Sequence, residues 1–220
     1  VGGGGIPKPG EITLAHRGVL FLDEFPEFSK QTINSLRQPL ENKFVSISRA
    51  RGAAVFPADF ILIAAMNPCP CGFHGVKGKE CICSPVHLNS YRRKISGPII
   101  DRIDLWVNVE KIEYKTFGEK SVQENTEHIK EQVKRARETQ KKRYEKNGLH
   151  TKTNAELKSE KLLSVSPLQA NIQQLLNTSA EKLNMSARAY HRVWKVARTI
   201  ADLADHENIE MPDMLEALQY

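Results

Sequence analysis

No apolar stretch in these 220 residues approaches the ~20 that a membrane-crossing helix needs, and no signal peptide is visible. A phosphate-binding loop of the form Gly-x-x-x-x-Gly-Lys-Ser/Thr is also missing. The glycine run of Val1 to Gly10 comes nearest, but Lys8 is followed by Pro9 and no buried strand precedes it. It reads as a mobile surface loop whose end is stiffened by Pro7 and Pro9. There is no initiating methionine; the chain opens at Val1, and the expectation is a piece of a longer protein. Cysteine is confined to Cys69, Cys71, Cys81 and Cys83, so no disulfide framework extends along the chain. Beyond the glycines there is no low-complexity tract, and no internal repeat.

The remaining composition, 40% hydrophobic and 26% charged, is that of an ordinary globular protein, long enough for one large domain or two small ones. A net charge of +6 permits a polyanionic partner without requiring one. Residues Gly18 to Glu24 are the most informative stretch. Four bulky apolar residues in a row, Val19 to Leu22, suit a strand buried on both faces of a parallel sheet. Such a strand delivers Asp23 and Glu24 at its carboxyl end, where open α/β sheets place their ligands. One carboxylate there can hold magnesium through water, and the other can polarise an attacking water. An acidic strand end that merely starts a turn is the plainer alternative.

A second apolar run, Phe60 to Met66, ends at Asn67-Pro68. Asparagine before proline is common turn chemistry. Paired with Asp23-Glu24 across a helix and a hairpin, it instead matches a polar residue that positions water near a terminal phosphate. Between the two runs, Ser29 is placed to cap a helix over Lys30 to Leu40. Phe44 to Ser48 and Ala54 to Phe56 form a hairpin with Gly52 at its turn. Glu11 to His16 reads as a short helix, Asn89 to Lys94 as a polar stretch, and Leu105 to Val109 as a further strand. A long charged helix covers Asn125 to Lys146, with Ile129, Val133, Ala136 and Tyr144 as a thin apolar stripe and Asn147-Gly148 as its stop. Its basic residues lack stacking aromatics, so it reads as a solvated face. Helices then open at Ser166-Pro167, at Ser186 and at Met211. The expected organisation is an α/β lobe over 1–113, a charged linker and helix over 114–165, and an all-helical lobe over 166–220.

Arg102 stands between Asp101 and Asp104, either as a surface ion pair or as an arginine reaching a phosphate on a neighbouring subunit. Arg188 lies in the first turn of its helix, where the helix dipole opposes a cation and a phosphate contact would explain one. The cysteines fall as Cys-x-Cys, nine residues, Cys-x-Cys, which suits a closed four-thiolate zinc site, with His74 as a substitute ligand. Four reduced surface thiols are the alternative. Such clustering in an otherwise cytosolic-looking chain favours metal over disulfides, and the expected compartment is the cytoplasm.

Taken in order, Gly10 to Phe28 with its Leu-Phe-Leu-Asp-Glu core, Ala64-Ala-Met-Asn-Pro-Cys-Pro-Cys-Gly72, Ser96-Gly-Pro-Ile-Ile-Asp-Arg-Ile-Asp-Leu105 and Ser186-Ala-Arg-Ala-Tyr-His-Arg192 resemble the magnesium-chelatase-like AAA+ ATPases of the ComM (YifB) type. The resemblance covers nearly the whole chain and thins only over about 115–164. It implies the distal part of an AAA+ core followed by a helical lid, using ATP and Mg2+. Asp23 and Glu24 would be the Walker B pair, Asn67 sensor 1, Arg102 the arginine finger and Arg188 sensor 2. It also implies that Val1 to Gly10 and the Phe44 to Phe56 hairpin face the channel of a hexameric ring, with Arg49 and Arg51 touching DNA. The implied parent is an ATP-driven DNA motor of the branch-migration type. Lacking a Walker A loop, this chain alone is expected neither to bind ATP tightly nor to hydrolyse it. A chelatase motor subunit for porphyrin metal insertion, and a non-enzymatic zinc-bearing DNA-binding or oligomerisation module, are the rival readings.

Overall fold

A computed structural model of the chain describes residues 2–3, 7–49, 52–76, 78–109 and 126–220. They fall into two compact units, Val1–Ile103 and Asp104–Tyr220. The first is α/β. Strands β1 (Gly2–Gly3) and β2 (Lys8–Pro9) pair antiparallel, so the glycine run begins as a small ladder. A side chain at Gly2 would place its first carbon 2.3 Å from the Lys8 carbonyl oxygen, and φ there is +108°; only glycine fits. Helix α1 (Glu11–Leu14) leads to β3 (Val19–Leu22), which runs parallel to β6 (Ile61–Ala64) in the register Val19 to Ile61 and Leu22 to Ala64. Between them lie α2 (Lys30–Ser35), α3 (Arg37–Asn42) and the hairpin β4 (Phe44–Arg49) with β5 (Gly52–Pro57). Helices α4 (Pro85–Arg92) and α5 (Gly97–Ile100) complete the unit.

Several local expectations hold. Ser29 Oγ accepts the Thr32 amide at 3.1 Å and starts α2 as a cap should. The hairpin forms with Gly52 opposite Arg49. The expected single helix over 30–40 is instead two, joined at Leu36. Pro39 has no N–H to give the Ser35 carbonyl and its ring crowds that group, so the ladder cannot continue.

Burial on both faces of the parallel pair is not observed. Leu20, Leu22 and Phe60 pack against Ile12, Phe25, Ile33, Val45, Ile95 and Ile99. On the opposite face Val19 and Phe21 are 53% and 59% exposed, and Ile61 and Ile63 are 60% and 47% exposed. The apolar run encodes two covered faces, and the described residues of this unit supply a layer for one. Leu105 to Val109 also forms no strand. A strand needs a neighbouring edge to take its hydrogen bonds, and the bond found there runs from the Trp106 amide to the Tyr220 carbonyl at 3.2 Å.

The second unit is helical: α6 (Thr126–Lys146), α7 (Ser159–Val165), α8 (Ala170–Lys182), α9 (Ala187–Leu203) and α10 (Met211–Ala217). Gly148, at φ +66°, lies in the left-handed turn that follows α6. Of its expected stripe, Ala136 and Tyr144 are buried whereas Ile129 and Val133 are 42% and 44% exposed. Ser186 caps α9 through the Ala189 amide at 3.2 Å. Helix α8 begins at Ala170, not at Ser166-Pro167. Ser166 closes α7 by its amide bond to the Leu162 carbonyl, and its own carbonyl accepts the Trp194 indole N–H at 3.0 Å. The residue before a proline is pushed out of helical geometry, which suits the end of α7 rather than a start. No described helix is long and apolar enough to cross a membrane.

A buried carboxylate organises this unit. Asp202 on α9 accepts from Arg143 of α6 at 3.1 Å, from the Nε of Arg198 at 3.0 Å and from Asn154 at 2.9 Å. Tyr144 donates to the same Asn154, and Arg198 continues to the carbonyls of His206 and Glu207. Truncating Asp202 would leave two guanidinium groups under-compensated in the interior. We expect Asp202→Ala to cost about 3–5 kcal/mol in chemical denaturation. Glu127→Ala, at the exposed pair with Lys130, should stay within about 0.5 kcal/mol.

His206 gives the unit a pH dependence. Its pKa is raised by a hydrogen bond with Asp213, opposed by desolvation and by Arg198, and supported by the charges of Asp213 and Glu210. The protonated ring is therefore favoured in the folded state. Its contribution is complete below the ordinary histidine pKa and lost as pH rises through the raised folded value. The urea midpoint of the unit should fall between about pH 6 and about pH 8, and His206→Gln should flatten that slope. An unchanged slope in the variant would contradict the assignment.

Candidate functional site at the ends of the parallel strands

Parallel pairing sends β3 and β6 out of the sheet at the same edge. The ladder extends one step past the strands: the Ala65 amide donates to the Leu22 carbonyl and the Phe25 amide to the Ala65 carbonyl, both at 2.9 Å. Asp23 and Glu24 follow one strand, Asn67 the other. Glu24 takes a left-handed backbone, φ +49°, which is uncommon for a residue with a side chain and turns the chain sharply into the Phe25–Glu27 turn. The Glu24 amide donates to Asp23 Oδ1 at 2.8 Å. That bond engages one oxygen of the Asp23 carboxylate.

Glu24 and Asn67 line one cavity of about 200 Å³, together with Glu27, Cys69, Pro70 and Tyr91. Asp23 is adjacent in sequence but does not line it. The Tyr91 hydroxyl donates to the Asn67 carbonyl at 3.1 Å. Burial raises the Tyr91 pKa, with Glu27, Cys69 and Glu24 adding to the effect, so the phenol stays a donor. Lys94 pairs with Glu27 at 3.0 Å and lies 5.6 Å from the centre of the Tyr91 ring. Tyr91 escaped the sequence reading because its helix did. Ser84-Pro85, the capping residue followed by a first-turn proline, was the available signal, and Ser84 Oγ accepts the His87 amide at 3.3 Å.

Arg102 is held away from this cavity. Its guanidinium donates to the Pro98 carbonyl at 2.5 Å and pairs with Glu41 of α3, not with Asp101 or Asp104 as surface pairing would have it. Its Nε is buried without a hydrogen-bond partner. Arg188 is exposed in the first turn of α9, in the second unit. Arg49 closes β4, whereas Arg51 lies outside the described residues.

The four sulfurs lie within 4.8 Å of one another. Cys69 to Cys71, Cys69 to Cys81 and Cys71 to Cys81 are 3.4, 3.8 and 3.6 Å. Tetrahedral thiolates about 2.3 Å from a zinc ion would be about 3.8 Å apart, so the set fits that metal closely. The amide of Phe73, with smaller help from Cys69 and Cys83, lowers the Cys71 pKa to about 6. Cys83, despite an amide bond from Cys71, is pushed up to about 12 by desolvation and by the other sulfurs. Four thiolates cannot coexist there without a cation to share. His74 is not placed as a substitute ligand: its amide donates to Cys69 Sγ at 3.3 Å, and its ring meets Arg92 at 3.2 Å.

Comparison with known proteins identifies the family. The sequence profile of the magnesium chelatase subunit ChlI family matches residues 1–117, and that of its C-terminal domain matches residues 123–220. Competence protein ComM of Haemophilus influenzae is 43% identical over the whole chain, which spans 42% of that protein. YifB of Escherichia coli is 39% identical, again over the whole chain and 42% of its own length. A weaker likeness, 29% over 96 residues, links 44% of the chain to 10% of the DNA replication licensing factor mcm2 of Schizosaccharomyces pombe. The chain thus spans well under half the length of these relatives. With both profiles matched in order and the two strand ends converging on one cavity, the chain belongs to the magnesium chelatase ChlI-type family of AAA+ fold.

Proposed function

We propose that the chain works as part of a longer ATPase and carries the water-activating half of its nucleotide site. The observation that carries this reading is the shared cavity of Glu24 and Asn67 at the carboxyl edge of β3 and β6. Asp23 would hold Mg2+ through water by the oxygen not engaged with the Glu24 amide. The ion would offset the charge on the β- and γ-phosphates. Glu24 takes the proton of the attacking water, and the Asn67 side-chain amide orients that water. The phosphate cradle comes from sequence outside this chain, so the chain alone is inactive. Arg102 serves a neighbouring subunit in a hexameric ring; to do so it exchanges Glu41 for a phosphate, one charge-assisted partner for another. Arg188 contacts nucleotide from the helical unit.

The motor acts on DNA in the cytoplasm, with Arg49 and Arg51 meeting its phosphates. The mcm2 likeness supports DNA over a porphyrin, whereas the family's chelatase name keeps metal insertion as the second reading. In the full-length protein, Glu24→Gln should lower ATP turnover by about 10²-fold or more while ATP still binds. Duplex or branched DNA should stimulate the wild-type rate. Full turnover by the Gln variant would end the assignment of Glu24. Stimulation by porphyrin and not by DNA would favour the chelatase reading.

The cysteine centre holds zinc in a closed structural site, with no coordination position left for substrate. Native chain should contain one equivalent of zinc, and Cys81→Ser should lose most of it. Less than half an equivalent in native protein would contradict the assignment.

A further inference from the structure

We propose that Tyr91 and the cysteine centre form a two-point clamp that positions Asn67; the functional consequence rests on the role given to Asn67 above. The ladder with β3 ends at Ala65, so the chain reaches Asn67 without a strand partner. Two attachments follow. The Asn67 carbonyl is held by the Tyr91 hydroxyl at 3.1 Å. Two residues on, Cys69 is fully buried with its sulfur among those of Cys71 and Cys81. The short stretch between these points includes Pro68, which has few backbone conformations of its own.

The two attachments are mechanically linked. Helix α4, which carries Tyr91, begins two residues after the last cysteine, with Ser84 as its cap. Near its other end Arg92 reaches back to the His74 ring, and the His74 amide donates to Cys69. Lys94, two residues past α4, pairs with Glu27, which also lines the cavity. A metal closing the four thiolates would therefore fix the position of α4 as well as Cys69. Both converge on Asn67. Tyr91 is a positioning residue: its hydroxyl touches the backbone of Asn67, a residue that lines the cavity.

Hydrogen exchange of the zinc-loaded chain, read by mass spectrometry over peptides covering 65–72, tests the clamp directly. Tyr91→Phe keeps the ring and removes the hydroxyl. It should speed exchange there about fivefold, the factor of one ordinary hydrogen bond, and leave β3 unchanged. Extracting zinc from the wild-type chain with a chelator should speed exchange in the same peptides, and the zinc-free Phe variant should exceed both. In the full-length protein Tyr91→Phe should lower kcat for ATP by about fivefold with KM unchanged. Unchanged exchange over 65–72 in the variant, or unchanged kcat in an active enzyme, would overturn the proposal. If exchange responds but the wild-type protein hydrolyses no ATP, the clamp stands and the ATPase reading falls.

Discussion

The parallel pairing of β3 with β6 is the constraint from which the first unit takes its chemistry. Two strands running the same way must deliver their following residues to one edge, however far apart those residues lie in sequence. Glu24 and Asn67 are separated by two helices and a hairpin, yet the Val19 to Ile61 register brings them to a single cavity. An antiparallel arrangement would have sent them to opposite ends of the sheet. The left-handed turn at Glu24 then aims that residue without lengthening the loop, a local cost borne by the surrounding hydrogen bonds.

The helical unit depends on a different device. Its core is ordinary: Tyr144, Leu162, Leu176, Trp194 and Met214 interlock around α9. What fixes α6 and the following turn on α9 is the carboxylate of Asp202, shared by Arg143, Arg198 and Asn154. Buried charges of this kind add little net stability when whole and cost much when broken. They favour one docking of α6, whose buried residues are few: Ala136, Gln140 and Tyr144.

Much of this was legible in the sequence, and the failures have physical causes. The apolar run of Val19 to Leu22, the Ser29 and Ser186 caps and the hairpin at Gly52 are set by local chemistry, and they were readable. Ser-Pro is instructive because it occurs twice. At Ser84-Pro85 it starts a helix, and at Ser166-Pro167 it ends one. The same dipeptide serves both ends: the Ser84 hydroxyl caps its helix, whereas the Ser166 carbonyl accepts the Trp194 indole N–H. The run Leu105 to Val109 has strand composition but no strand edge to pair with among the described residues of its unit. Exposure of Phe21 and Ile63 was equally hidden, since a sequence records what a face requires and not what covers it. Within the site, the carboxylates, Asn67 and the four cysteines were visible as residue types at suggestive spacings. Tyr91 was not, because its contribution is one hydroxyl placed by a distant helix, and Arg102 paired with Glu41 across 61 positions.

A structure of the full-length protein with Mg2+ and a non-hydrolysable ATP analogue tests the central claim most directly. The account predicts the terminal phosphate at the mouth of the cavity, with Asp23 toward the ion and Glu24 and Asn67 flanking the position of the attacking water. Nucleotide bound elsewhere, with that cavity unchanged and Glu24 turned away from every phosphate, would contradict it.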